Sequence, residues 1–181
     1  MFSGVKYISI RTLGLSQIFL NEDKLIRIQQ WFDPKDMGKF QPLPVHDFGN
    51  GKLTLTDGHS RAFVAYKAGL EVLPVVYDVD DIVTSPTGQM LYKNDIAWCA
   101  RFRLENIADL ENRIISNEEY ETLWIDRCDK AYNLLTKTDE VQRMKWQQLH
   151  HDLFLYGISD DLKTLFFENS HGCVFVFDAI F

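Results

Sequence analysis

Cysteine is scarce in this chain and widely scattered. Cys99, Cys128 and Cys173 form no C-x-x-C pair, and an odd count leaves one unmatched in any pairing, so a disulfide scaffold is excluded and all three read as reduced thiols. Cys99 and Cys128 fall among Trp98, Ala100, Trp124 and Ile125, surroundings suited to packing rather than nucleophilic chemistry. Long apolar runs are missing too. None approaches the roughly 20 residues that span a bilayer, and Met1 to Arg11 lacks the apolar core of a signal peptide. No membrane partner is expected, and a cytoplasmic location is. Positive charge is in deficit, with 19 Lys and Arg against 26 Asp and Glu and a formal net charge of −7. Nucleic acids and anionic lipids bind through clustered cations and released counterions, so this balance argues against general attraction to either and leaves room only for a local basic patch. Internal repeats and low-complexity tracts are absent as well.

What is present is a chain of 181 residues, 46% hydrophobic and 25% charged, enough for one good core with an extension. Val5 to Ile10 alternates as a strand does, and Gly14 permits a turn toward Leu15 to Leu20. Asn21 reads as a cap for a helix whose first turn is acidic (Glu22, Asp23), whose apolar stripe is Leu25, Ile28 and Phe32, and which Pro34 closes. Leu43 to Phe48 and Lys52 to Thr56 flank Gly49-Asn50-Gly51, which predicts a hairpin with Pro44 at an edge or strand start. Ser60 to Ala68 is helical by composition, Gly69 supplies a left-handed end, and Val72 to Tyr77 returns as a strand. Asp78, Asp80 and Asp81 then form an acidic exit, read as solvated surface charge rather than a metal site.

Thr84-Ser85-Pro86-Thr87-Gly88 reads as a loop separating this mixed α/β region from a helical half. Helices are expected over Gln89 to Phe102, briefly over Ile107 to Glu111, from the Ser116/Glu119 capping box through Tyr120, Leu123, Trp124 and Ala131, and from about Asp139 through Val141, Met144, Gln148 and Tyr156 to Gly157. The tail regains strand character at Phe166-Phe167 and Cys173 to Phe177 around an Asn169 to Gly172 turn. Trp31, Trp98, Trp124 and Trp146 fall in helical text and are expected to pack between layers. His150 and His151 point about 100° apart on a helix and cannot chelate together; with His171 they read as surface or partly packed histidines.

Chemistry concentrates at Asp57-Gly58-His59-Ser60-Arg61, between a strand and a helix start. A helix start presents unpaired N–H groups and the positive end of the dipole, so this turn is a plausible phosphate seat. Arg61 can clamp phosphate oxygens bidentately, His59 can donate a hydrogen bond, and Ser60 with its backbone N–H can complete a cradle. The same residues also fit plain turn chemistry, with Ser60 as an N-cap and Arg61 as a surface ion-pair partner. His46 and Asp47, near the hairpin, read as surface or supporting groups.

With these residues in view, Val5 to Asp78 resembles the ParB/sulfiredoxin superfamily domain, in which a G-x-x-R-like turn holds nucleotide phosphates. The Arg61-to-Pro74 interval and the run Ala65-Tyr66-Lys67-Ala68-Gly69-Leu70 carry the likeness. His59 stands where a sulfiredoxin has its reactive cysteine, which argues against sulfinic-acid repair, and a partition-type Glu-Arg-Arg turn with a basic recognition helix is lacking. The turn is most similar to that of the free serine kinase branch, Asp-Gly-His-x-Arg. That resemblance implies an α/β nucleotide-binding domain over residues 1–82, with a mainly helical extension over residues 83–181 packed on it. It implies ATP or ADP with Mg²⁺, and phosphoryl transfer to a small hydroxyl-bearing metabolite such as free serine. Gly58, His59, Ser60 and Arg61 would bind the nucleotide, Asp57 would orient His59 or approach the metal, and His59 would share in catalysis. Glu22 would be the base, with Asp23 as runner-up. A non-catalytic nucleotide or phosphate sensor, and a ParB-like DNA-associated regulator, are the competing readings.

Overall fold

Strand and helix alternate through the first half of the chain, and the fold is mixed α/β, as the sequence predicts. The computed structural model describes residues 3–137, 154–158, 164–168 and 174–178. Contacts gather the chain into two units, Met1–Glu121 and Thr122–Phe181.

The first unit is built on a four-stranded sheet of β1 (Val5–Ser9), β3 (Leu43–Asp47), β4 (Leu53–Leu55) and β5 (Val72–Tyr77), in the order β1-β5-β3-β4. β3 and β5 run parallel, and the outer pairs are antiparallel. The β3–β4 hairpin forms because the Asp47 carboxylate accepts the Gly49 and Gly51 N–H groups at 2.9 and 3.0 Å, while Gly49 and Gly51 supply the positive φ angles. The Gly49 N–H holds the Asp47 carboxyl below its ordinary range. Register follows, with Val45 opposite Leu55, and the Thr56 N–H continues the ladder to the Pro44 carbonyl. Pro44 takes the strand-start position allowed to it, one residue ahead of the paired stretch with β4.

Leu43, Val45, Leu55, Leu73 and Val75 have no exposed surface, and burying each such side chain contributes about 2 kcal/mol. Onto this layer α2 (His59–Lys67) lays Ala62, Phe63 and Ala65, all buried. Gly69, at φ 84°, ends the turn after α2 as its sequence predicts. Next to α2 packs α1 (Glu22–Trp31), whose Asn21 cap accepts the Lys24 N–H at 2.9 Å. The chain before α1 lies along the open edge of β4. Gly14 exchanges backbone hydrogen bonds with Leu53 and Leu55, and a Cβ at Gly14 would fall 2.6 Å from Thr54 Oγ1. A short parallel pair, β2 (Leu20–Asn21) with β6 (Ile114–Ile115), closes the unit on that side.

Two helices, α3 (Asp81–Thr84) and α4 (Pro86–Arg101), follow β5. The loop expected over Thr84 to Gly88 is absent. Ser85 alone interrupts the helices, its hydroxyl accepting the Gly88 N–H, and Pro86 opens α4, where its missing N–H costs nothing. Gly88 is needed for close approach, since a Cβ there would sit 1.9 Å from the Ile82 carbonyl oxygen. Asp78 is half-buried rather than solvated: its carboxylate accepts the Thr56 hydroxyl and the Asp80 N–H. His46, also buried, donates from Nδ1 to the Asp78 carbonyl at 2.8 Å and accepts from Gln89 of α4 at Nε2. The short helical turn at Ile107–Arg113 is of 3-10 type, and α5 (Asn117–Tyr120) carries the predicted Ser116/Glu119 capping box.

The second unit contains the rest of a π-type turn (Glu121–Ile125), α6 (Asp126–Lys137), and an antiparallel sheet of β7 (Phe154–Ile158), β8 (Thr164–Glu168) and β9 (Val174–Asp178) in that order. The guanidinium of Arg127 lies 5.3 Å over the Trp124 ring. The helix expected to run through Tyr156 is a strand there: Phe154, Leu155, Tyr156 and Ile158 are good strand formers, and pairing with β8 overrides the helical spacing. Residues 139–153 of that helix, with Trp146, His150 and His151, lie outside the described residues, as do the 169–172 turn, His171 and Cys173. Cys99 is buried, as expected. Among the described residues no helix is long and apolar enough to cross a membrane.

Candidate functional site

The turn joining β4 to α2 is shaped by one glycine. Gly58 caps α2 at φ 82°, and a Cβ there would meet Leu43 Cδ2 at 2.6 Å and Arg61 Nη2 at 3.0 Å. Only glycine lets the turn sit against β3 while the guanidinium folds back across it. Among the described residues no side chain caps α2, in contrast to α1, capped by Asn21, and α4, capped by Ser85. The backbone N–H groups of His59, Ser60 and Arg61 open the helix, and the first intrahelical bond is from the Ala62 N–H to the Gly58 carbonyl. The turn thus ends in a positive, uncapped helix start.

Arg61 is held in place by the segments that precede β3 and follow β4. Its Nη1 donates to the Gln41 carbonyl at 3.1 Å, and its Nη2 lies 3.5 Å from Asp57 Oδ2, leaving further guanidinium N–H groups for an incoming anion. Arg61 and Asp57 share a hollow of about 440 Å³ with Trp31, Lys39 and Gln41. Two cations and one carboxylate line it, so the wall is locally positive although the chain carries a formal charge of −7. A second hollow, about 520 Å³, lies at the opposite end of α2 against Arg11, Tyr66, Lys67 and Glu71. There the helix dipole is negative, Lys67 is paired with Glu111, Arg11 stacks 5.8 Å over Tyr66, and the Ala68, Gly69 and Leu70 N–H groups bond to the Val64, Tyr66 and Ala65 carbonyls, which satisfies the helix end.

His59 faces away from the hollow's lining. It is 2% exposed, and its Nε2 accepts the Ser16 N–H at 3.1 Å, so the ring proton sits on Nδ1, which has no partner among the described residues. Burial drives its pKa from 6.5 down to about 4; the Asp57 carboxylate opposes that shift and the Lys24 ammonium adds to it. The imidazole is therefore neutral at pH 7 and pins the segment before α1 onto α2. The Ser16 hydroxyl completes that pin by donating to the Leu55 carbonyl at 2.7 Å. Ser60 is buried beside His59.

Of the residues singled out by sequence, Asp57 and Arg61 meet in the hollow, Gly58 shapes the turn, and His59 and Ser60 lie beneath it. Glu22 and Asp23 are exposed in the first turn of α1 and do not line the hollow. Trp31, Lys39 and Gln41 escaped the sequence reading. Trp31 is 39% exposed rather than packed between layers, because it ends α1 where the chain turns away at Phe32. Lys39 and Gln41 lie in the segment between α1 and β3, and no local pattern marks them; the Gln41 carbonyl reaches the site through its bond to Arg61. Among the described residues no group of three or more His, Cys, Asp or Glu forms a metal site.

No family model and no curated protein matches the sequence. Among solved structures, the chain is similar to the C-terminally truncated chromosome-partitioning protein ParB from Caulobacter crescentus complexed with CTP-gamma-S, at 16% identity and a TM-score of 0.36, covering 79% of this chain and 98% of that one. The same protein complexed to the centromeric parS site is similar at 16% identity and a TM-score of 0.34, covering 78% of this chain and 90% of that one. Likenesses this distant carry no functional argument, and the site stands on its own geometry.

Proposed function

We propose that the chain is a nucleotide-binding module whose ligand phosphates sit at the start of α2. The observation that carries this is the uncapped helix start at Gly58 with the Arg61 guanidinium fixed at its mouth. The positive end of the helix dipole and a positioned guanidinium together favour a phosphate dianion. Lys39 on the same wall adds charge, and Asp57 disfavours ligands without a metal or other cation to offset it.

A finer reading is phosphoryl transfer to a small hydroxyl-bearing metabolite such as free serine, with ATP or ADP and Mg²⁺. Asp57 favours it. Its side chain is 68% exposed at the wall of the hollow, where a carboxylate can bind Mg²⁺ together with phosphate oxygens or accept a hydroxyl proton. Glu22 serves this reading only if the first turn of α1 reaches the acceptor. His59, neutral and buried, acts through position and through its one remaining donor, Nδ1.

Thermal unfolding with a panel of nucleoside di- and triphosphates, with and without Mg²⁺, tests the binding reading. A ligand at 100 times its Kd adds about 2.7 kcal/mol of stability, and Arg61→Ala should remove that shift. A panel that leaves the wild-type midpoint unmoved refutes it. For transfer, Glu22→Gln should keep nucleotide affinity and lose turnover, and Asp57→Asn should lose turnover together with the Mg²⁺ dependence of binding; a binding module has no turnover to lose.

A further inference from the structure

Trp31 projects from the end of α1 into the same hollow as Arg61, and its exposure is at odds with the apolar character of indole. It is nevertheless held firmly. Its ring meets Phe32 edge-on at 6.2 Å, and Phe32 meets Phe40 edge-on at 5.8 Å. Phe40 is 5% exposed, so this aromatic series runs from the interior to the wall of the hollow. Edge-to-face contacts of this kind orient a ring as well as stabilise it. The result is a half-exposed indole with a supported orientation, sharing a cavity with two cations and Gln41.

We infer that Trp31 is the stacking platform for the planar heterocyclic base of the nucleotide. This rests on the reading above, that phosphates sit at the start of α2. The π-face of indole takes any base, and the positive charge for the phosphates stands on two other members of the lining, Arg61 and Lys39. The volume of about 440 Å³ admits a base with its ribose, more than a lone phosphate needs. Gln41 is the side chain in the hollow able to both donate and accept at a base edge. A small acceptor metabolite would leave the indole face wet.

The test is calorimetric titration with two probes, a nucleoside triphosphate and inorganic tripolyphosphate, which carries the same phosphate chain without a base. The variants are Trp31→Leu, Trp31→Phe and Arg61→Ala, each checked by circular dichroism for retained fold. Trp31→Leu should weaken nucleotide binding by about tenfold or more, the range of one base-on-aromatic stack, and leave tripolyphosphate binding unchanged. Trp31→Phe should recover part of the loss. Arg61→Ala should weaken both probes. If Trp31→Leu leaves nucleotide affinity intact while Arg61→Ala weakens it, the base lies elsewhere and the stacking inference fails, with the phosphate reading intact. If Trp31→Leu weakens both probes equally, the residue supports the site's shape and does not stack a base. If wild type binds neither probe, the phosphate reading fails and this inference with it.

Discussion

Lowering the pH from 7 to 5 protonates His59 in the unfolded chain but not in the folded one. The imidazole is 2% exposed, its Nε2 accepts the Ser16 N–H, and its pKa falls from 6.5 to about 4 because burial penalises the charged form. The sign follows from proton counting. Between those two values the unfolded state binds the extra proton, so the stability His59 contributes is fully present above pH 6.5 and is lost as pH falls toward 4. The whole shift corresponds to about 3 kcal/mol, of which about 2 kcal/mol disappears between pH 7 and pH 5. The assay is urea unfolding at pH 7, 6 and 5 for wild type and His59→Gln. A glutamine oxygen can still accept the Ser16 N–H, and it has no proton to gain. Subtracting the two profiles removes the contribution of carboxyls such as Asp47, whose lowered pKa also makes stability fall in acid, below the carboxylate range. Wild type should lose about 2 kcal/mol more than the variant over this interval. Parallel profiles would show that the folded ring titrates as it does in the unfolded chain, and the account of His59 as a neutral pin would be wrong.

Other substitutions probe the same region by different means. Gly58→Ala should cost about 1–3 kcal/mol in urea unfolding, since it combines a positive φ with a Cβ 2.6 Å from Leu43 Cδ2, and it should weaken phosphate binding by displacing Arg61. Ser16→Ala should cost about 1 kcal/mol by removing the hydroxyl from the buried Leu55 carbonyl, read as a lower urea midpoint with an unchanged slope. Lys67 has its pKa raised by the hydrogen bond from its ammonium to Glu111, but both groups are exposed, so Glu111→Gln should leave the thermal midpoint within error while lowering the Lys67 pKa seen by NMR titration.

Where a structural element was written in local chemistry, it could be read directly. The Asn21 cap with its acidic first turn, the Gly49-Asn50-Gly51 hairpin and the Gly69 helix end act over three or four residues, and each forms as its sequence requires. Ser85-Pro86 misled for the same reason. Serine and proline open loops and helices alike, and here the Ser85 cap on the Gly88 N–H, with no Cβ at Gly88 to strike the Ile82 carbonyl, goes with the helix. Phe154 to Ile158 shows the other failure, an apolar run whose spacing suits a helix until a neighbouring strand pairs with it.

The site divides along the same line. The backbone conformation of Gly58 could be read because a glycine before a helix start supplies the positive φ the turn takes, whereas the placement of Arg61 also depends on the Gln41 carbonyl 20 residues away. The orientation of His59 could not, because it depends on an N–H 43 residues earlier in the chain. At the first position of a helix an imidazole can swing outward to a ligand or inward to the core, and the sequence around it is the same in both cases. What decides between them is the Gly14–Ser16 segment, which reaches the edge of β4 because Gly14 has no side chain to strike Thr54. One glycine therefore shapes the turn before α2, and a second, far from it in sequence, turns the histidine away while Arg61 stays in the lining of the hollow. A larger residue at Gly14 should release Ser16, free His59 and raise its pKa toward 6.5, so the chemistry of the turn is set in part by a residue that never approaches the hollow.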